Sequence, residues 1–365
     1  MDTSDPLIEF DNNGFCNLCT DFLANRKNVI KTSSDGGNDL EELVNNIKKY
    51  SKNRKYDCVI GMSGGVDSSY TAVIAKELGL KVLAVHMDNG WNSKISVKNI
   101  NNLVKKLNID YQSYVLPWNA FKQVQLAFLK ASVPEAETPT DIAIAKAVNY
   151  YARNSNTKVI LSGGNISSEG ILPMSWHYNS RDTVYSHDIL NRFDVPTKYF
   201  NSQRFGFIEE TYCRLIKGIK TFYPLNYIDY NKNVARQILE KDYGWEFYGT
   251  KHGESRYTKF IQKFYMVHKH GIDYRRATLS SEICLNKTSR SNALEELNKP
   301  PFQVGEFDEE ISYISKKLSI NEEEFRNIIN SEPKWFWNYK NNMKLLHFFY
   351  DLYRWAVNSP KTSNH

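Results

Sequence analysis

A short run rich in serine and glycine carries the side chains and the flexibility that a phosphate-binding loop needs. The run consists of Ser63, Gly64, Gly65, Val66, Asp67, Ser68 and Ser69. Its glycines permit positive φ angles and the close approach of a ligand to the backbone. The N–H groups of such a turn and of a following helix form an anion site, to which the serine hydroxyls add donors. The aspartate can cap the helix or hold a magnesium ion beside phosphate oxygens. The run therefore predicts a polyphosphate site.

The elements on either side predict where this run lies in the fold. An apolar strand, Cys58–Met62, precedes it, and a helix, Ser68–Leu78, follows it with Gly79 in the C′ position. Further strands are predicted at Lys81–Met87, Tyr111–Val115 and Lys158–Leu161, and further helices at Val97–Leu107 and Thr140–Arg153. This alternation indicates an α/β fold with a mainly parallel sheet and helices on both faces. Ligands of such sheets bind at the carboxyl ends of the strands, where both Gly-Gly pairs lie.

The pattern changes in the second half of the chain. After Glu169 the sequence becomes less regular and rich in aromatic and basic residues, and the last ~90 residues are predicted to be largely helical. We predict an N-terminal segment (residues 1–50), a nucleotide-binding domain (51–235) and a mainly helical region that binds substrate and phosphate (236–365).

The loop matches neither of the two common nucleotide-binding patterns, since no lysine follows its glycines and no G-x-G-x-x-G is present. At every position Ser63–Ser69 instead resembles the pyrophosphate loop (PP-loop) of the ATP pyrophosphatase superfamily, which includes GMP synthetase, asparagine synthetase and tRNA-thiolating enzymes. The resemblance implies that ATP, with Mg²⁺, is cleaved between its α and β phosphates. It also implies nucleotide contacts at two other strand ends. These involve His86, Met87, Asp88, Gly163 and Gly164.

A longer stretch, Tyr223–Arg290, resembles the N-acetyl sugar amidotransferases of surface-polysaccharide and nonulosonic-acid biosynthesis, through KH-x-ES-x-x-T followed by GID-x-RRA-x-LSS. The amino end and "ILPMSWHYNSRD" also look like that family. The resemblance implies that an acetamido group on a sugar is adenylated at its oxygen and converted by ammonia to an acetamidino group. It further implies that ammonia comes from separate partners, similar to the glutaminase and cyclase-like subunits of imidazole glycerol phosphate synthase.

Charged and aromatic residues of these stretches are candidates for the chemistry. Arginine forks and lysine bind phosphate and other anions. We predict catalytic roles, beside Asp67, for Lys251, Arg275 and Arg276, and substrate contacts for Trp176, Tyr178, Asp182, His252, Glu254 and Arg256. Two alternatives stay open: the charged set forms ordinary surface ion pairs, and the aromatic residues pack in the core.

Cys16 and Cys19 form half of a zinc-ribbon pattern. Two cysteines cannot complete a tetrahedral site alone, so the alternatives are a structural zinc with further ligands, for example Cys213 or Cys284, and a plain reduced pair. An odd total of five cysteines argues against a disulfide framework and favours the cytoplasm.

Composition narrows the classes of partner. The net charge of +6 is small for an RNA-binding protein, so no nucleic acid is expected. The mean hydropathy is −0.54, and the sequence shows neither a secretory signal nor a membrane-spanning run. The strongest rival function is tRNA thiolation, which would need Cys213 or Cys284 to carry sulfur. A non-enzymatic ATP-binding scaffold is a second rival.

Overall fold

The computed structural model describes residues 1–30, 39–249, 253–302 and 305–357. Within these ranges, five parallel strands form one sheet in the order β3-β2-β1-β4-β5. They are β1 (Cys58–Gly61), β2 (Val82–Asp88), β3 (Asp110–Val115), β4 (Val159–Leu161) and β5 (Lys220–Phe222). The chain order reverses at β1, so the crevice at the carboxyl ends of β1 and β4 is the expected ligand position.

The α-helices in the same ranges surround the sheet and continue into the C-terminal region. The first ten are α1 (Asn17–Val29), α2 (Asp39–Ser51), α3 (Val66–Glu77), α4 (Lys94–Leu107), α5 (Trp118–Lys130), α6 (Thr138–Asn154), α7 (Ile166–Glu169), α8 (Thr183–Arg192), α9 (Phe207–Thr211) and α10 (Lys232–Tyr243). The others are α11 (Arg256–Phe260), α12 (Met266–His270), α13 (Tyr274–Cys284), α14 (Arg290–Asn298), α15 (Glu306–Leu318), α16 (Glu322–Asn330) and α17 (Met343–Val357). A π-helical turn at Ile261–Tyr265 joins α11 to α12, and another at Tyr212–Ile216 extends α9. None of these described helices combines the length and apolar content that a membrane crossing requires.

The predicted α/β class is confirmed, with helices on both faces of a parallel sheet. Side chains alternate along each strand, so Ile60 faces one layer and Val59 the other. Ile60 belongs to a buried cluster with α2, α3, α4 and α10, whereas Val59 belongs to a second cluster with α5, α6 and α8. Both faces of the sheet are therefore covered by helices and shielded from water. This explains why the strand sequences are continuous apolar runs.

A third buried cluster joins the C-terminal helices to the sheet domain. Aromatic residues dominate it, including Trp91, Phe121, Phe260, Phe264 and Phe325. Because this core draws on α5 as well as on α11, α15 and α16, the C-terminal region is packed firmly against the nucleotide domain.

A buried carboxyl before α6 makes stability depend on pH. Glu135 is only 7% exposed; its Oε2 accepts a hydrogen bond from the Tyr185 hydroxyl at 3.3 Å. Burial raises the pKa of Glu135 to about 7. The folded protein thus holds a proton that the unfolded chain releases near its ordinary value of 4.5, and stability falls as the pH rises from that value through 7.

We therefore expect Glu135→Gln to stabilise the protein above pH 7, by roughly 3 kcal/mol, and to leave its stability near pH 5 almost unchanged. Urea unfolding of both proteins at several pH values measures this difference. Glu240→Gln, on the exposed face of α10, is the matched control and should show no such pH dependence. Equal stability of Glu135→Gln and wild type at pH 8 would contradict the prediction.

Candidate active site

The glycine loop connects β1 to α3 and presents the open amino end of that helix. Gly65 is the N-cap residue and has no side chain with which to cap the helix, and the hydroxyl of Tyr248 bonds to the backbone of Val66, the first helical residue. Gly64 has φ +82°, and a Cβ built on it would lie 2.6 Å from the backbone oxygen of Ser96. Only glycine fits there, because the positive φ and the contact with the first turn of α4 both exclude a side chain.

The second glycine pair meets this loop, as the sequence predicts from the strand ends. Gly163 follows β4, and a Cβ on it would lie 2.8 Å from the amide nitrogen of Ser68 and 2.9 Å from the carbonyl carbon of Asp67. The two backbones are thus in direct contact. The carboxyl ends of β1 and β4 form one site, although about a hundred residues separate them in the sequence.

Asp67 is held by two residues that the sequence analysis missed. Its carboxylate accepts hydrogen bonds from the hydroxyl of Tyr230 and, at 3.0 Å, from Nζ of Lys232. Lys232 begins α10 and supplies the cation that the loop itself lacks. No spacing in the sequence links it to the loop, since the packing of α10 against α3 creates the contact.

The segment after α10 covers the loop. The indole Nε1 of Trp245 donates to the Gly64 carbonyl oxygen at 3.0 Å. The hydroxyl of Tyr248 bonds to Glu254, and both side chains lie 3.4 Å from a Cβ built on Gly65. Glu254, predicted as a substrate contact, therefore lies at the phosphate loop itself. The neighbouring candidates Lys251 and His252 lie outside the described residues.

The end of β2 is braced by a neutral histidine. The buried His86 donates from Nδ1 to the Met62 carbonyl oxygen at 2.8 Å and accepts from Asn92 at its Nε2 at 3.0 Å. Burial lowers its pKa, which favours the neutral form of the ring. Asp88 accepts from the Gly90 amide at 2.9 Å. Nucleotide contacts by His86, Met87 and Asp88 stay a prediction.

Arg275 and Arg276, predicted to be catalytic, form ion pairs within the protein, and their catalytic roles stay a prediction. Arg275 forms an ion pair with Asp273 and donates to two carbonyl oxygens, that of Glu296 in the last turn of α14 and that of Lys299 just after it. Arg276 pairs at 2.6 Å with Asp2 in the N-terminal segment. These guanidinium groups connect segments of the C-terminal region and the amino end, as the ion-pair alternative predicts.

Arg256 is likewise committed to packing. It donates to Glu310 of α15 at 2.9 Å, and its guanidinium stacks 3.5 Å from the ring centroid of Tyr313. Glu310 is 4% exposed and has a second partner in Lys259. These contacts fix α11 to α15, and the substrate contact predicted for Arg256 stays a prediction.

Trp176, Tyr178 and Asp182, predicted to contact the sugar, are buried in this structure. Trp176 is 1% exposed, and Tyr178 stacks on Phe336 with ring centroids 4.6 Å apart. Asp182 caps α8 and accepts the Tyr178 hydroxyl. This burial favours the core-packing alternative, although the indole nitrogen of Trp176 has no hydrogen-bond partner among the described residues, and the sugar contacts stay a prediction.

Cys284, at the end of α13, lies beside the amino-terminal cysteines. Cys19 shares hydrogen bonds with Cys16 and with Cys284, and hydrogen bonding from Cys19 lowers the pKa of Cys284. Among the described residues, no group of three or more cysteine, histidine or acidic side chains has an arrangement that could hold a metal ion. The structure therefore gives the zinc alternative no support.

The arrangement of strand ends, glycine loop, aspartate and lysine defines an ATP-using synthetase fold of the PP-loop class. Residues 39–173 match the family model of NAD synthase, and residues 254–353 match that of the LPS biosynthesis protein WbpG-like C-terminal domain. The chain thus matches two family models in separate regions, that of NAD synthase over most of the sheet domain and the WbpG-like model of lipopolysaccharide biosynthesis over the C-terminal helices.

Solved structures show more distant similarity. An NH3-dependent NAD synthetase from Campylobacter jejuni is 17% identical, covers 49% of this chain and 82% of its own, and has a TM-score of 0.30. An NMN synthetase from Francisella tularensis is 15% identical over 71% of this chain and 90% of its own, with a TM-score of 0.35. No curated protein sequence matches the chain.

Proposed function

We propose that the protein is an AMP-forming amidotransferase that converts the acetamido group of an N-acetylated sugar to an acetamidino group in the synthesis of a surface glycan. The observation that carries the proposal is the union, in one chain, of a complete PP-loop with a WbpG-like C-terminal domain. The sequence resemblance to N-acetyl sugar amidotransferases over Tyr223–Arg290 supports the same reaction.

The reaction needs two displacements. In the first, the amide oxygen of the sugar attacks the α-phosphorus of ATP, and pyrophosphate leaves with the electrons of the broken P–O bond. In the second, ammonia attacks the activated carbon and AMP leaves, so that nitrogen replaces oxygen. The amide oxygen is a poor leaving group until it carries AMP, which is why ATP is consumed.

The residues of the site fit these steps without an enzyme nucleophile. The loop amides and serine hydroxyls bind the phosphate oxygens, and Lys232 compensates the charge that grows on departing pyrophosphate. Asp67 would hold the Mg²⁺ that accompanies ATP, in keeping with the single carboxylate that such ions often take beside phosphate oxygens. When bound, that ion supplies charge neutralisation.

We propose that ammonia comes from separate glutaminase and cyclase-like subunits, on the basis of the sequence resemblance. The tRNA-thiolation alternative finds less support in the site. Cys213 is buried in the core with a raised pKa, and the contacts of Cys284 are with the amino-terminal cysteines rather than with the glycine loop.

We expect the purified protein, given ATP, Mg²⁺ and isotopically labelled ammonium, to release AMP only when an acetamido sugar is present. Mass spectrometry should show the label in the sugar product. AMP release that depends instead on tRNA and a sulfur donor would establish the thiolation alternative. ATP binding without AMP under any of these conditions would indicate a scaffold.

A further inference from the structure

Four neighbouring strands of the sheet each begin beside a basic side chain. Lys81 immediately precedes β2, Lys158 immediately precedes β4, and Lys220 is the first residue of β5. Arg54 lies in the segment that leads from α2 into β1. Because β2, β1, β4 and β5 are parallel neighbours, these cations all lie at the amino edge of the sheet. The glycine loop lies at the opposite, carboxyl edge.

Hydrogen bonds through the backbone join the four cations into one row. Nζ of Lys81 donates to the carbonyl oxygen of Arg54 at 3.2 Å. The guanidinium of Arg54 donates to the carbonyl oxygen of Asn156, in the turn that leads to Lys158. The amide of Lys220 donates to the carbonyl oxygen of Lys158 at 2.8 Å. The row therefore crosses four strand starts, with neighbouring strands roughly 4.8 Å apart.

The row continues into the turn that follows α9. Nζ of Lys158 donates to the carbonyl oxygen of Lys217. The side chains of Lys217 and Arg153 lie over the ring of Tyr212, 5.4 Å and 5.3 Å from its centroid. We refer to the six cations as the basic edge; they are Arg54, Lys81, Arg153, Lys158, Lys217 and Lys220.

The basic edge keeps its positive charge. Among the ion pairs between described residues, none includes any of its six cations. The hydrogen bonds of its side chains go to uncharged acceptors, such as the Tyr50 hydroxyl, which lies 2.5 Å from Nζ of Lys220. Two carboxyl groups of this edge are otherwise committed, since Asp57 is buried and Asp110 pairs with Lys55 at 3.2 Å. All six cations are exposed or half-buried, so their charge faces water.

Exposed apolar side chains adjoin these cations. Leu215 and Ile216, directly before Lys217, are 59% and 71% exposed. They end the π-helical turn Tyr212–Ile216, which the buried Cys213 anchors to the core. Apolar side chains beside a cluster of cations form the amphipathic pattern that enters the headgroup layer of a bilayer. A tyrosine such as Tyr212 is also typical of the membrane–water interface.

We infer that the basic edge, together with Leu215 and Ile216, docks the protein on an anionic lipid surface. The negative potential of such a surface strengthens binding by about fivefold for each lysine or arginine close to it. The two apolar side chains add burial in the interfacial layer. A row of cations on adjacent strands suits a flat array of negative headgroups, which provides many anionic partners at once.

RNA, the other extended polyanion, fits this surface less well. Proteins bind single-stranded RNA largely through bases stacked on aromatic rings, to which the aliphatic Leu215 and Ile216 contribute nothing. A tRNA substrate would also have to reach the glycine loop, which lies at the opposite edge of the sheet. The inference goes beyond the proposed function and does not depend on it, because vesicle binding is measured without turnover.

Flotation with lipid vesicles tests the inference. We expect the wild-type protein to bind vesicles of phosphatidylglycerol and phosphatidylcholine in equal parts, and not vesicles of phosphatidylcholine alone. Salt at ~1 M should release it, because the Debye length is then about 3 Å. Lys81→Glu combined with Lys220→Glu reverses two exposed charges and should weaken binding at least ~100-fold.

Lys94→Glu combined with Lys316→Glu is the matched control, because these lysines are exposed and lie at the opposite edge of the sheet. Lys94 begins α4, after the turn that follows β2. Lys316 adjoins Lys317, whose Nζ donates to the carbonyl oxygen of Gly90 in that turn. This control should bind vesicles within about twofold of the wild type.

Ile216→Ser tests the apolar part and should weaken binding by about 10-fold. Leu294→Ser, at a residue 46% exposed on α14, is its control and should have no effect. Wild-type protein that ignores the anionic vesicles would overturn the inference, as would equal losses in variants and controls. Binding of tRNA in place of vesicles, weakened by Lys81→Glu with Lys220→Glu, would show an RNA surface instead. Absent AMP release would overturn only the proposed function.

Discussion

Asp67→Asn is expected to lower the rate of AMP formation by at least ~1,000-fold while the protein stays folded. The substitution keeps the shape of the side chain and its hydrogen bond with the Tyr230 hydroxyl, but it removes the negative charge beside Lys232. Without the carboxylate, the site loses its candidate ligand for the magnesium ion that accompanies ATP. Lys232 then no longer has a fixed partner. Single-turnover assays of AMP and pyrophosphate release measure the effect.

The loss of the ion pair itself should cost little stability. The Asp67 and Lys232 side chains are 28% and 42% exposed, and such pairs contribute less than ~1 kcal/mol. Asp110→Asn is a close control, because Asp110 also accepts a tyrosine hydroxyl, from Tyr56, and pairs with a lysine, Lys55, at 3.2 Å. That triplet lies at the amino end of β3. Wild-type turnover in Asp67→Asn, or an equal loss in Asp110→Asn, would refute the role of Asp67.

The sheet was largely predictable because its strands are short apolar runs between glycines and helical segments. Predicted and observed bounds differ by only a few residues; the first strand, for example, is predicted at Cys58–Met62 and found at Cys58–Gly61. The edge strand β5 was missed, since its three residues are mostly exposed and carry no apolar pattern. Helix α5 was also missed, although its apolar residues recur with the period of a helix.

The candidate site likewise has one part that the sequence predicts and another that it does not. The glycine loop was predictable because it is continuous in sequence and its glycines have a local steric purpose. Lys232 reaches Asp67 only through the packing of α10 on α3, and no spacing of residues in the sequence predicts that packing. The ion pair of Arg275 was not predicted, because a basic pair beside a resembled motif looks the same whether it binds a ligand or forms contacts within the protein. The partner Asp273 lies two residues away in the sequence.

Gly64→Ala is expected to affect both stability and activity. Gly64 has φ +82°, which costs an L-residue about 1 kcal/mol, and the added Cβ would lie 2.6 Å from the backbone oxygen of Ser96. A backbone oxygen cannot rotate away from the added Cβ as a side chain can, so α4 or the loop must shift. This shift lowers the free energy of unfolding by a further ~1–3 kcal/mol. A shift of the loop by about 1 Å misplaces the phosphates and should lower turnover by roughly 100-fold.

Gly79→Ala separates the two causes. Gly79 has a similar φ of +71°, yet nothing lies within 4 Å of a Cβ built on it. Gly79→Ala should therefore lower the free energy of unfolding by about 1 kcal/mol, from the positive φ alone, and leave the turnover unchanged. Urea unfolding and AMP assays of both variants make the comparison. If Gly64→Ala lost no more stability than Gly79→Ala and remained active, the contact between the loop and α4 would not position the phosphates, because strain at φ alone would then explain both variants.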